Sequence, residues 1–444
     1  MQLTEVAHVI QGNLQGENLH FSAIATDSRK LNSGEVYVAL VGENFDGHHF
    51  IKEVETKGAV AAIVNRPVES TMPLIIVEDT LKALADLASY HRQQFHCPII
   101  AVTGSCGKTT TKMLLTNVFA QKGQVLSNPA SFNNSIGVPL TLLQLDNNHD
   151  FAITELGANH LGEIDFLSRL VQPQVSIITN AGPAHLKGFG DLNGVAKTKG
   201  EIFNGLTAGG VAIINIDDAK APYWLEKAAA FRIITFGLSP KADVYAKEII
   251  FDEFAKPSFY LVTPAGYCKI KLPLMGQHNI YNALAASAAA FALGLDLNLI
   301  SCGLEQAEAV VKRLVEYKGK TGAIVIDDSY NANPASMLAA IRLLTQRSNH
   351  SILVVGDMLE LGEKTADFHH QMGLQAKELG VKQLFCLGEY SQLAAQSFGQ
   401  SSMHFMDHAS LINALKPQLN PKVTVLVKGS RGMTMEKIVE AIRE

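Results

Sequence analysis

The sequence predicts an α/β protein of three domains. These are a small mixed α/β N-terminal domain, a central parallel-sheet domain built around a phosphate-binding loop, and a C-terminal Rossmann-like α/β domain. Three observations lead there. Apolar strands alternate with helical segments in two separate stretches, the pattern of a parallel, doubly wound sheet. A glycine-rich loop ending in Lys-Thr-Thr stands between one such strand and a helix. The chain has 444 residues, whereas single cores stop growing at roughly 250–300 residues.

The first domain is read as residues 1–80. It holds short apolar strands at Glu35 to Leu40, Ala59 to Val64 and Leu74 to Val77, separated by loops rich in Gly, Asp and His. The second, 81–311, opens with a helical stretch from Leu81 to Phe95 and a buried strand from Pro98 to Val102. Apolar strands recur at Phe151 to Thr154, Val175 to Thr179, Val211 to Asn215 and Ile233 to Phe236, with helical segments between them. An Ala-rich stretch, Ala283 to Leu295, closes the region; it is shorter than the roughly 20 apolar residues of a membrane span and reads as a buried helix. The third domain, 312–444, has strands at Ala323 to Ile326, Ile352 to Val355, Gln383 to Leu387, Met403 to Met406 and Val423 to Val427. Within it, Asn333-Pro334 is an N-cap followed by a first-turn proline, opening a helix with Met337, Leu338, Ile341 and Leu344 on one face.

Bulk properties narrow the class. With 47% hydrophobic and 18% charged residues, the chain can bury large cores. Its formal charge of −5 is spread without long runs of one sign, so no basic face for nucleic acid is expected. Met1 to Ile10 carries Glu5 and no basic leader, and the five cysteines (Cys97, Cys106, Cys268, Cys302 and Cys386) are scattered without a C-x-x-C pair. A cytoplasmic protein without a disulfide framework is expected.

The strongest chemical signal is Thr103-Gly104-Ser105-Cys106-Gly107-Lys108-Thr109-Thr110. Glycines there let backbone N–H groups turn toward phosphate oxygens, and the following helix adds a positive N-terminal field. Lys108 would reach the terminal phosphates of ATP and Thr109 would offer its hydroxyl to Mg²⁺. The first glycine of the longer pattern is replaced by Val102, so the loop is a shortened variant. An incidental Lys-Thr in a tight turn is the plain alternative; strand and helix on either side argue against it.

Working residues of such sheets sit past the carboxyl ends of strands. Glu155 ends one strand and His185 follows another, so both are expected on the edge that carries the loop, able to complete Mg²⁺ shells. Singly, each could equally be a cap or a hydrogen-bonded loop residue. Lys199 by residue type alone is a solvated helix lysine.

Several separated segments, in order, carry a resemblance to a known family. They are Thr26-Asp27-Ser28-Arg29 with Asp46-Gly47-His48, then Thr103 to Thr110, then Asn133-Asn134-Ser135-Ile136-Gly137-Val138-Pro139. Glu155-Leu156-Gly157-Ala158-Asn159, Ala184-His185, Lys199-Gly200-Glu201-Ile202 and Gly276-Gln277-His278-Asn279 with Asn282-Ala283 follow. The last are Asp328 to Pro334, Val355-Gly356-Asp357-Met358 with Glu360-Leu361-Gly362, and Lys428-Gly429-Ser430-Arg431. Over its whole length the chain resembles the Mur ligases of peptidoglycan synthesis, and within them the branch that adds a D-alanyl-D-alanine dipeptide. The resemblance implies an ATP- and Mg²⁺-dependent carboxylate–amine ligase working through an acyl phosphate. UDP-MurNAc-tripeptide would bind the first domain, ATP the second and D-alanyl-D-alanine the third, in a monomer without a membrane span.

The resemblance also implies roles. Gly104, Ser105, Cys106, Gly107, Lys108, Thr109 and Thr110 would hold ATP, with Asn279 and Asn282 on adenine, and Arg313 and Asp328 meeting phosphate and ribose. Thr109, Glu155, His185 and Lys199, the last as a carbamate, would be metal ligands; Lys108, Lys199, His185 and Glu155 form the catalytic group. Ser28, Arg29, Asp46, Gly47 and His48 would contact the uridine diphosphate, and Asn133 and Asn134 the nucleotide-linked peptide. Tyr330, Asn331, Asp357, Lys428, Ser430 and Arg431 would frame the dipeptide. Ser105 and Cys106 depart from the commoner loop residues, at positions where the backbone does the cradling. The Asp-Asn-Pro-Arg signature of the diaminopimelate-adding branch is replaced by Asp357-Met358-Leu359-Glu360. Two alternatives remain at this point: another ligase of the superfamily, such as a folylpolyglutamate synthetase, and a nucleotide switch that hydrolyses ATP to change shape.

Overall fold

The computed structural model describes residues 1–42, 44–129 and 132–444. Three principal sheets organise them. In the first domain five strands run in the order Asn13–Gln15, Leu74–Ile76, Ala61–Val64, Val36–Val38, Ile24–Ala25. All neighbours are parallel except the first pair. The helix Thr80–Gln93 is capped by the Asp79 carboxylate, which accepts from Leu81 and Lys82 N–H. It buries Leu84 and Leu87 in the first domain's core and Ala88 in the second's, so it belongs physically to both.

The central sheet has nine strands, in the order Gly266–Lys271, Pro257–Thr263, Val244–Phe251, Arg232–Gly237, Val211–Asn215, Val175–Ile178, Ile99–Thr103, Phe151–Glu155, Val125–Ser127. The last seven are mutually parallel and their central members are buried on both faces, which is why they read as unbroken apolar runs. The helices Lys108–Ala120 and Gln277–Ala292 cover one face. The Ala-rich segment is thus the inner part of a buried helix, with small side chains that let it lie close to the sheet.

The first three strands form an antiparallel extension that the sequence reading missed. Pro257–Thr263 alternates buried and half-buried residues, because only one of its faces meets the core.

The third domain's sheet runs Val315–Lys318, Ile324–Asp328, Thr424–Lys428, Ser351–Gly356, Gln383–Leu387, Ser402–Phe405, parallel after the first pair. Asn333 caps the helix Pro334–Arg347 as expected, forming a reciprocal box with Ser336. Among the described residues no helix is long and apolar enough to cross a membrane, and all five cysteines are free thiols.

Candidate active site

Carboxyl ends of the central strands and of the third domain's strands face one another across a cleft of about 1090 Å³. The phosphate loop forms its floor. Gly104 and Gly107 have φ of +148° and +83°. A Cβ on Gly104 would lie 1.9 Å from Thr179 Oγ1, and one on Gly107 2.2 Å from Asn282 Oδ1, so both positions require glycine. The loop is pinned by groups the sequence reading overlooked. Asn180 Oδ1 accepts from Cys106 N–H at 2.9 Å, and Thr179 Oγ1 donates to Cys106 O at 2.6 Å. Both residues follow the strand Val175–Ile178, so the strand-end rule would have found them. Lys108 Nζ donates to Gly104 O at 2.7 Å, and burial lowers its pKa.

Every residue expected to hold ATP lines this cleft: Gly104 to Thr110, Asn279, Asn282, Arg313 and Asp328. Asn282 Nδ2 donates to Asn279 Oδ1 at 2.8 Å, fixing both amides at the start of their helix. Arg313 crosses from the third domain. Its Nη2 donates to Thr109 Oγ1 at 3.0 Å, and its guanidinium lies 4.4 Å from the Tyr330 ring centre. A second crossing joins Cys106 Sγ to the Asn333 amide at 3.2 Å.

Glu155, His185 and Lys199 share the same wall. Glu155 is 3% exposed; Oε1 accepts from Asn133 Nδ2 at 2.8 Å, while Oε2 has no hydrogen-bond partner among the described residues. Burial would raise its pKa, but Lys108, Lys112, Asn133 and Arg313 together bring it below the usual value. Asn128 also clasps the Glu155 main chain through both amide atoms. Lys112 and Asn128 were not anticipated; Lys112 sits one helical turn after Lys108 on the face toward the sheet. His185 has φ +52° and a pKa lowered by burial, with Lys108 and Lys199 acting the same way and Glu360 against them. Lys199 is 2% exposed, and its pKa falls to about 7 through burial and the neighbouring Lys108. The solvated lysine suggested by residue type is therefore wrong for its environment.

Among the described residues no group of three or more His, Cys, Asp and Glu is placed to hold a metal ion. The wall instead supplies one carboxylate with a free oxygen, one imidazole, the Thr109 hydroxyl, and a lysine that becomes an acid only on carbamylation. Such a sparse oxygen set suits Mg²⁺, which keeps several waters and shares substrate phosphates.

The expected substrate residues divide. Asn133, Asn134, Tyr330, Asn331, Lys428, Ser430 and Arg431 line the cleft. Several are already engaged: Asn134 Oδ1 accepts from Gly137 N–H at 2.9 Å, Lys428 Nζ meets Asp328 Oδ2 at 2.6 Å, and Arg431 Nη1 meets Glu436 at 2.8 Å. Ser430 Oγ accepts from Leu359 N–H at 2.8 Å. Asp357 does not line the cleft; its carboxylate accepts from Ser391 and Tyr390 N–H at 2.7 and 3.2 Å, where the helix Ser391–Phe398 begins. Ser28, Arg29, Asp46, Gly47 and His48 lie in the first domain, outside this cleft. There Arg29 forks onto Asp27, and Asp46 is held between Arg66 and His48.

Comparison with known proteins agrees with the geometry. Three family models match: "Mur ligase family, catalytic domain" over residues 20–92, "Mur ligase middle domain" over 102–290 and "Mur ligase, glutamate ligase domain" over 312–431. The UDP-N-acetylmuramoyl-tripeptide–D-alanyl-D-alanine ligase of Escherichia coli K12 is 39% identical over 444 residues, spanning 100% of this chain and 98% of the relative. The crystal structure of MurF from Acinetobacter baumannii superposes with a TM-score of 0.94 at 37% identity, covering 98% of this chain and 97% of that one. MurF ligase from Thermotoga maritima, solved with ADP, gives 0.85 at 26% identity, covering 96% of this chain and 98% of the other. With the loop, the cleft and all three domains accounted for, the chain belongs to the Mur ligase family.

Proposed function

We infer that the chain is the ATP-dependent ligase that adds D-alanyl-D-alanine to UDP-N-acetylmuramoyl-tripeptide. The products are the UDP-MurNAc-pentapeptide, ADP and phosphate. One observation carries the reading: the phosphate loop, the free carboxylate oxygen of Glu155 and Arg313 of the third domain converge on one cleft. The activity printed for relatives that match over nearly their full length points the same way.

A carboxylate is anionic and has no leaving group, so it does not condense with an amine unaided. In the proposed reaction the tripeptide carboxylate attacks the γ-phosphorus of ATP and ADP departs. The backbone of residues 104–110 and the Lys108 ammonium hold the phosphates and offset the charge that develops. The free amine of D-alanyl-D-alanine then attacks the acyl phosphate, and inorganic phosphate leaves. Thr109, Glu155, His185 and carbamylated Lys199 would hold Mg²⁺, which when bound screens phosphate charge. Water would hydrolyse the intermediate, and Arg313 and Asp328, arriving from the third domain, fit a closure that excludes it. The Ser28, Arg29 and Asp46–His48 region is assigned to the uridine diphosphate, and the cleft-facing Tyr330, Asn331 and Arg431 to the dipeptide. Five free thiols and a need for ATP fit a cytoplasmic enzyme.

The test is phosphate release from ATP and Mg²⁺ with both organic substrates present, then with each omitted. Release that needs both, with a product heavier by the dipeptide less water, is expected. Release that ignores both would return the loop to a nucleotide switch. Hydroxylamine should trap the acyl phosphate as a hydroxamate.

A further inference from the structure

Glu360 has no role in the reaction above, yet its carboxylate meets the His185 ring from the third domain. It lies in the turn after the strand Ser351–Gly356. Its Oε2 is 2.5 Å from His185 Nδ1, and its main-chain oxygen accepts from Lys187 N–H at 3.3 Å. Both partners adopt left-handed backbone, with φ of +63° at Glu360 and +52° at His185. Non-glycine residues there cost on the order of 1–3 kcal/mol each, and they persist where surrounding structure demands a particular aim. Here two such residues, one from each domain, aim at each other across the cleft.

The contact has a chemical consequence. A neutral imidazole has one N–H donor and one acceptor nitrogen, and the partner of one nitrogen sets the state of the other. At 2.5 Å a carboxylate oxygen would repel an Nδ1 lone pair, so the proton of a neutral ring belongs on Nδ1. Nε2, on the opposite edge of the ring, is left with its lone pair and has no hydrogen-bond partner among the described residues. Glu360 remains 60% exposed, so the pair adds little to stability; what it supplies is orientation.

We propose that Glu360 is a positioning residue: docking of the third domain fixes His185 as the Nδ1–H tautomer and presents the Nε2 lone pair to the cleft. This rests on the ligase reading only for the use made of that lone pair, which is to bind Mg²⁺. The tautomer itself is a property of the free protein. Outer partners of this kind change metal affinity or activity by roughly 10–100-fold when removed.

The full-length protein, labelled with ¹⁵N-histidine, tests this by long-range ¹H–¹⁵N correlation, with His185→Gln identifying the signal. The wild type is expected to show the Nδ1–H tautomer and Glu360→Ala the Nε2–H tautomer. Glu360→Gln, which keeps an acceptor, should lie nearer the wild type. The remaining histidine signals report retention of the fold. In the ligase assay Glu360→Ala should raise the Mg²⁺ concentration for half-maximal rate about tenfold or more, with a smaller change in the ATP requirement. A wild-type Nε2–H tautomer, or one unmoved by Glu360→Ala, overturns the proposal whatever the activity does. A tautomer that switches with no change in Mg²⁺ requirement overturns the link to the cation and the metal-ligand role of His185, while leaving the ligase reading standing.

Discussion

Glu155 and Lys112 face each other inside the central domain, Oε2 to Nζ at 3.9 Å, with side chains only 4% and 7% exposed. The lysine donates instead to Asn128 O, and the carboxylate oxygen it faces has no hydrogen bond among the described residues. A buried carboxylate oxygen without a hydrogen bond costs free energy unless something positive completes it. An oxygen so placed is suited to a divalent cation. Mg²⁺ should raise the melting temperature of the wild type, by the equivalent of about 2.7 kcal/mol at one hundred times its Kd. Glu155→Gln should lose most of that increment. Calorimetry with and without chelator measures it, and an unchanged Mg²⁺ response in the variant would remove Glu155 from the metal set.

Lys199 yields a prediction with a definite pH sign. Its pKa is about 7 in the folded chain, against an ordinary 10.5. Between those values the unfolded state binds more protons, so this group makes stability rise with pH from about 7 toward 10.5; its cost is fully present below 7. In carbonate-free buffer Lys199→Met should therefore be more stable than wild type at pH 6, by up to about 5 kcal/mol. The gap should close toward pH 10. The same depressed pKa leaves about half the amine neutral at pH 7, the form that attacks carbon dioxide. ¹³C-bicarbonate should give a carbamate signal in wild type that Lys199→Met lacks. A pH-independent stability difference would mean that Lys199 is an ordinary lysine.

These two residues also mark how far the sequence can be read. Glu155 and His185 were legible because one ends and the other follows a short, mostly apolar buried strand, and strand ends in a doubly wound sheet converge on one edge. Lys199 was not legible from chemistry. Its burial depends on Phe189, whose ring centre lies 5.2 Å from Nζ, and on packing that no local pattern records. The strands Val244–Phe251 to Gly266–Lys271 meet the core on one face only, and Lys247-Glu248 and Lys269 interrupt the apolar runs of the first and last, which hid the hairpin pattern. In the third domain, spacing located the loops at strand ends but could not distinguish side chains facing the cleft from side chains already consumed in capping helices.

Asp357 is the sharpest instance of that last difficulty, and it gives the third prediction. Its carboxylate accepts from two backbone N–H groups at the start of the helix Ser391–Phe398. Such a cap is worth about 0.5–2 kcal/mol. Asp357→Ala should lower stability by that order in chemical denaturation, and Asp357→Asn, which keeps an acceptor oxygen, should recover much of it. KM for D-alanyl-D-alanine should change little in the Asn variant. A large rise in that KM with unaltered stability would restore Asp357 to the dipeptide site.

Arg313 tests whether the third domain completes the phosphate site. It donates to the Thr109 hydroxyl at 3.0 Å and stacks over Tyr330, so a single planar cation links the domain to the first helical turn of the loop. In the proposed site the loop's own backbone holds the phosphates, so Arg313→Ala should leave ATP binding within a few-fold of wild type. The rate should fall further, by roughly 10- to 150-fold, since a hydrogen bond to a charged group is worth about 1.5–3 kcal/mol. Arg313→Lys keeps the charge but loses the planar fork and the stacking face, so rescue should be partial. Small-angle scattering separates this from a merely electrostatic role. In wild type a non-hydrolysable ATP analogue should compact the molecule; in Arg313→Ala it should bind without doing so. Full compaction and a near-normal rate in that variant would show that the contact with Thr109 accompanies docking of the domain without driving it.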